Sequence, residues 1–361
     1  MPVQQLAPRR PLARRGAAGS VSGMDSVSQF VLGAACAAAV LGTATRPARA
    51  LLWGGFAGTL PDLDVLFDHG DAIANMVRHR AESHALLYLT LLAPLLGGVA
   101  ARLHRDGTRW RRWTVALWLA LVTHPLLDAM TIYGTRLWLP WREQPVAIGS
   151  LFVVDPLYTL PLLVGCLVAL VARDPARRWR WNLAGLVLST AYAGWSLVAQ
   201  QLATAPLRAA LQAQGIREAR LVVTPAPLQT LLWRCLALTE TTAYEGFWSP
   251  FDQGRPLALV AIDRGAALLA AVRAMPAPSQ LLAFSGDACK AAWRDDTVVL
   301  TDLRMGQEPH YVFQFPVARR HEDGTLLPIE PTVRTGSRID VGRGLAWLWP
   351  RLWGGDLPPP R

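Results

Sequence analysis

TVALWLALVTHPLLDAMTIY, residues 114–133, is the stretch that decides the fold. Twenty apolar residues are enough to cross a bilayer core. Only two ionisable side chains interrupt this run, His124 and Asp128. They lie four apart, so a helix puts both on one face. Ionisable groups at membrane depth are costly and mark a functional site. Three more runs are long enough to span: 84–103, 151–172 and 181–203. A fifth, 28–45, is rich in alanine and glycine and suits a tightly packed span. A sixth, 50–60, is too short to cross and reads as a half-helix buried against its neighbours. The expected fold is an α-helical polytopic membrane domain of about five to six hydrophobic helices.

Composition agrees. Of 361 residues, 52% are hydrophobic and 17% charged, against about 25% charged in soluble domains. That excludes a disordered chain and argues against a purely soluble enzyme. The net charge is +10, and Lys290 is the one lysine among the 36 basic residues. The arginines cluster beside the apolar runs: Arg46 and Arg49, then Arg102–Arg112, then Arg173–Arg180. This is the pattern of membrane flanks and not of a nucleic-acid surface. The positive-inside rule puts these clusters in the cytoplasm of a bacterial inner-membrane, multi-pass protein. The 61–83 loop, the 134–150 loop and the chain after 203 then face the periplasm.

Residues 1–23 carry Pro2, Pro8, Pro11 and four arginines with no apolar signal core. They read as a disordered tail or a mis-called start, with Met24 the cleaner beginning. Residues 24–203 form the membrane-embedded unit. After 203 the pattern turns to short strand-like runs at 221–223, 231–238, 257–262, 297–300 and 310–317. A helix over 265–273 ends near Pro276 and Pro278. Residues 204–340 are expected to be a small, extracytoplasmic, soluble α+β domain, and 341–361 a flexible tail. Cys36, Cys166, Cys235 and Cys289 form no CxxC pair and read as small buried hydrophobes.

The chemistry sits in separated polar motifs. Asp62 and Asp64 follow Pro61; two carboxylates at that spacing gain by sharing a cation. His79 and His84 bracket the next loop. His124 and Asp128 end the outward-running span. His and carboxylate are ordinary ligands for zinc and other divalent metals. The topology brings Asp62, Asp64, His79, His84, His124 and Asp128 to one face, where they hold one or two divalent ions. Taken alone, the His124–Asp128 pair also reads as a structural hydrogen bond. Asp155, just before Pro156, reads as a helix N-cap.

The set Gly58–Asp64, His79-Arg80-x-x-Ser83-His84, His124-x-x-x-Asp128, Thr131, Tyr133-Gly134-Thr135 and Trp138-x-Pro140 resembles the YdjM-type family of membrane-bound, metal-dependent hydrolases. The resemblance extends over roughly residues 24–330 and takes in Asp155-Pro156 and Leu232-Trp233-Arg234. It implies kinship with zinc-dependent phospholipase C and nuclease-type hydrolases. By extension it implies a water activated on zinc or manganese and a lipid-like or phosphoester substrate drawn from the membrane. Under a hydrolase reading Arg80 pairs with a substrate phosphate, or alternatively snorkels or pairs with a carboxylate, and Ser83 and Tyr133 donate hydrogen bonds around the site. Two departures stand out: Gln29 occupies a first-helix position where many members carry histidine, and Ser83-His84-Ala85 replaces Thr-His-Ser. The alternative is a non-catalytic metal-binding membrane protein, a transporter or assembly factor. No His-Glu-x-x-His is present to suggest a metalloprotease.

Overall fold

The computed structural model describes residues 22–337 and 340–360. The expected N-terminal tail falls almost wholly outside these residues. α1 (Ser22–Leu41) and α2 (Pro47–Thr59) form a close hairpin. A Cβ on Gly54 would lie 2.3 Å from the Gly33 carbonyl oxygen. Backbones meet this closely only where side chains are absent or small. α3 (Ala72–Arg78) is a short helix before the second long run. α4 (Leu86–Leu103), α5 (Trp110–Ala129), α6 (Pro156–Val171) and α7 (Pro175–Ala213) complete the bundle. α1 is its centre and packs on α2, α5, α6 and α7.

Among the described residues, three helices are long and apolar enough to cross a membrane: those at Ser26–Ala44, Leu86–Leu103 and Pro175–Ala213. Leu91, Leu95 and Val99 of α4 and Val187, Leu188 and Trp195 of α7 point outward and are exposed. Such a contiguous apolar exterior suits lipid rather than water.

α7 has 39 residues, about 58 Å of helix, twice the ~30 Å of a bilayer core. Its first part packs along α6. Its last turns (Ala199, Ala203, Leu207, Leu211) pack under Val223, Trp233 and Cys235 of the following sheet. The boundary expected at 203/204 therefore falls inside one continuous helix.

Beyond α7 lie two antiparallel four-stranded sheets. The first is a meander of β1 (Arg220–Pro225), β2 (Trp233–Leu238), β3 (Thr242–Trp248) and β4 (Val260–Asp263). After α8 (Ala266–Val272) and α9 (Pro276–Ser285) come β5 (Cys289–Arg294) and β6 (Thr297–Asp302). A small hairpin, β7 (Gly306–Gln307) and β8 (His310–Tyr311), precedes β9 (Gln314–Arg320) and β10 (Leu326–Pro328). The second sheet has order β10-β9-β6-β5. Val222, Leu236 and Ile262 of the first sheet meet Leu303 and Tyr311.

Several sequence expectations need correction. The 61–83 segment is not all loop: α3 buries Ile73, Met76 and Val77 in the core of the second sheet with Leu281, Phe284 and Phe315. Pro276 opens α9 rather than closing the helix before it, because a first-turn position needs no N–H from proline. The expected 310–317 strand is split, and the 257–262 strand begins only at Val260. The 341–361 tail is largely helical: α10 (Val341–Leu352) starts on an Asp340 cap and packs Trp347 and Leu352 against Leu232 and Phe247. All four cysteines are buried and unbonded.

Candidate metal centre

Three elements build the site. A 3-10 turn, Leu60–Leu66, continues α2 past Pro61 and carries Asp62 and Asp64. The chain after α3 carries His79 at its C-cap, then Arg80, then a 3-10 turn, Glu82–His84. The last turns of α5 carry His124 and Asp128, both fully or almost fully buried.

His84, His124, Asp62 and Asp128 converge so that one ligand atom from each lies within 4.8 Å of all the others. The two Nε2 atoms are 3.0 Å apart. Asp62 Oδ1 is 3.4 Å from each Nε2. Asp128 Oδ2 is 3.2 Å from His84 Nε2 and 3.4 Å from His124 Nε2.

The tautomers follow from the outer partners. His124 Nδ1 is 2.6 Å from the Gly58 carbonyl, which only accepts, so Nδ1 carries the proton. Ser83 donates its hydroxyl proton to Asp64 Oδ2 at 2.8 Å. Its oxygen is therefore the acceptor for His84 Nδ1, 2.8 Å away. Both rings are held with Nδ1 protonated and an Nε2 lone pair aimed at the centre. Asp128 Oδ2 is buried with no hydrogen-bond donor.

In that tautomer the two Nε2 atoms and the two carboxylates are available as acceptors around one point. Four ligands at about 2.05 Å from a tetrahedral ion would lie about 3.3 Å from one another. Donor chemistry and spacing both fit a divalent cation. A second group, Asp62, Asp64 and His79, shares Asp62 and is only partly buried. His79 Nδ1 is 2.9 Å from Asp64 Oδ1. Burial pushes the Asp64 carboxyl up, but hydrogen bonds from His79 and the Arg80 backbone N–H outweigh it and hold it below the usual range.

Residues 24–203, half of the chain, match the YdjM inner membrane protein family. The chain belongs to that family. Neither a curated protein nor a solved structure matches it. Family membership makes the apolar bundle an inner-membrane structure, and the Asp/His cluster lies wholly within the matched residues.

All six residues expected as metal ligands come together, His79 and Asp64 in the outer group. Arg80, expected either to bind a substrate phosphate or to pair with a carboxylate, does the second and is 4% exposed. Its guanidinium pairs with Asp128 Oδ1 at 3.2 Å, donates to Thr131 and lies over the Tyr133 ring. Ser83 bridges Asp64 and His84. Tyr133 donates to the Met76 carbonyl, tying α3 to the site. Asp155 caps α6 by accepting from the Leu157 N–H.

Gln29 is the residue whose part the sequence hid. Its amide donates to Asp128 Oδ1 at 2.9 Å and to the His124 carbonyl at 3.3 Å. Where many family members carry a histidine, the glutamine grips a ligand carboxylate, a partner 99 residues away that the sequence does not reveal.

Proposed function

We propose that the chain is a membrane-bound, metal-dependent hydrolase that cleaves a lipid-like or phosphoester substrate of the cell envelope. The observation that carries this reading is the convergence of two imidazole Nε2 atoms and two carboxylates on one point. Asp62, His84, His124 and Asp128 would hold the ion, zinc or manganese. When bound, a divalent ion lowers the pKa of water and polarises a scissile oxygen.

The chain's own groups do the rest. Gln29 and Arg80 fix Asp128 from two sides. Ser83 and the Gly58 carbonyl lock the two rings. Asp64 holds His79 through Nδ1, which leaves Nε2 of this partly exposed ring to accept a proton. Arg80 and Ser83 are positioning residues in this scheme, since both are engaged within the protein.

The reading also takes α5 and α6 as spans beside the three longer helices, and the arginine-rich ends as cytoplasmic. The metal centre and the sheet domain then lie together on the periplasmic side. The Arg304 guanidinium, which donates to the Tyr133 carbonyl, and the Thr332–Asp71 bonds support a domain seated against the site.

The test is hydrolysis of phospholipid vesicles and an aryl phosphodiester by purified, zinc- or manganese-loaded protein. Metal-dependent turnover that disappears in Asp128→Ala is expected. No turnover on either substrate with metal bound would favour a non-catalytic metal protein.

A further inference from the structure

The bundle has a second polar end. α5 begins at Trp110, 14 and 18 residues before His124 and Asp128, so this far end stands about 21–27 Å from the Asp/His cluster. A cavity of about 940 Å³ opens there between the ends of α1, α2, α4, α5, α6 and α7. Six arginines line it: Arg46, Arg49, Arg105, Arg109, Arg112 and Arg178.

The charge is nearly unopposed. The one carboxylate in the lining is Asp106, and it already bonds Arg109 and the Trp113 indole. Arg109, Arg112 and Arg178 each donate one N–H to a helix-end carbonyl: Ala44, Val40 and Ala172. Those bonds fix their heads at the rim. Among the described residues, the side chains of Arg46, Arg49 and Arg105 make no hydrogen bond or ion pair. α2 also begins here, at Pro47, without a side-chain cap, and adds the positive end of its dipole. Asn182 is 2% exposed and lines the same cavity. Its amide N–H₂ donates to the Ala35 carbonyl, which leaves a buried Oδ1 with no donor.

The positive-inside rule accounts for arginine at this end of the spans. It does not require six of them around one cavity, where like charges repel. An anion relieves that repulsion, and guanidinium forks match phosphate oxygens. Basic pockets between spans at the membrane surface are suited to anionic headgroups. Ala38, Ala39, Ala169 and Trp179 give the cavity an apolar side.

We propose that this basin binds a phosphate-bearing anion, and that its occupant is the headgroup of an anionic phospholipid in the adjoining leaflet. The site is separate from the metal centre and does not depend on hydrolase activity.

Native mass spectrometry of the full-length, detergent-solubilised protein tests it, with phosphatidylglycerol and phosphatidylcholine as probes. Calorimetric titration with inorganic phosphate forms a second arm. Arg46→Gln/Arg49→Gln/Arg105→Gln removes the three unengaged arginines. Arg102→Gln/Arg111→Gln/Arg177→Gln removes equal charge from the same end but outside the cavity, and Arg49→Gln alone serves if the triple variant does not fold. The expected result is preferential phosphatidylglycerol binding, weakened at least tenfold in the basin triple variant, and measurably in Arg49→Gln, but less than twofold in the control. Phosphate binding as tight as that of the lipid, with the same arginine dependence, would make the occupant a soluble anion and overturn the lipid assignment. Equal losses in both triple variants, or no preference for phosphatidylglycerol, would overturn the site itself.

Discussion

Ser83→Ala removes one oxygen and tests whether the outer bonds set the metal centre. Ser83 Oγ lies 2.8 Å from both Asp64 Oδ2 and His84 Nδ1. In the variant, the nearest remaining acceptor for Nδ1–H is Asp64 Oδ2 at 3.6 Å, beyond useful hydrogen-bond distance. His84 is fully buried, so its N–H is left unsatisfied. That costs about 1–3 kcal/mol, and a tenfold affinity change is about 1.4 kcal/mol. Metal affinity should fall about 10- to 100-fold, the range seen when a ligand's outer partner is lost. A water entering the vacated space would give the lower end. Competition against a chromophoric chelator measures the change, with Glu82→Gln as control because Glu82 is exposed beside the site. A change under twofold in Ser83→Ala, or one matched by Glu82→Gln, would refute the assigned tautomer of His84.

Two further outcomes follow from the same geometry. Arg80→Met leaves Asp128 buried without its cation. The metal-free protein should lose about 3–5 kcal/mol, and zinc should restore most of it; thermal unfolding that falls equally with and without zinc would contradict the pairing. Asp71 caps α3 and accepts two bonds from Thr332. Burial pushes its carboxyl up, but bonds from Thr332, Ala74 and Ile73 outweigh that and hold it below the usual value. Its contribution is therefore complete above about pH 4 and lost as pH falls through the depressed folded value. Asp71→Ala should cost about 1 kcal/mol at pH 7, a gap that closes towards pH 3 in thermal melts; a gap that widens in acid would reverse the sign.

The long helices were legible because lipid imposes length and apolarity on each span independently of its neighbours. α3 was not, because its seven residues are stabilised by a sheet more than two hundred positions later in the chain. α10 was missed for a related reason. Its glycines, its proline and the prolines after it suggest a tail, yet Trp347 and Leu352 bury against the first sheet. The ligand residues were readable as ionisable groups where such groups are expensive. Their division into an inner group of four and an outer group sharing Asp62 was not, since it depends on how α2 hands its chain to the 3-10 turn. Arg80 shows the same limit. Its charge suggested a phosphate or a carboxylate; which carboxylate claims it was not legible, because Asp128 lies on a helix almost fifty residues further on.

The most direct test of the account is elemental analysis of the detergent-purified protein beside His124→Ala/Asp128→Ala. Near-stoichiometric zinc or manganese in the native protein, lost in a folded double variant, is the predicted result. Absence of metal from both proteins after reconstitution would contradict the account and make the cluster a network of shared protons.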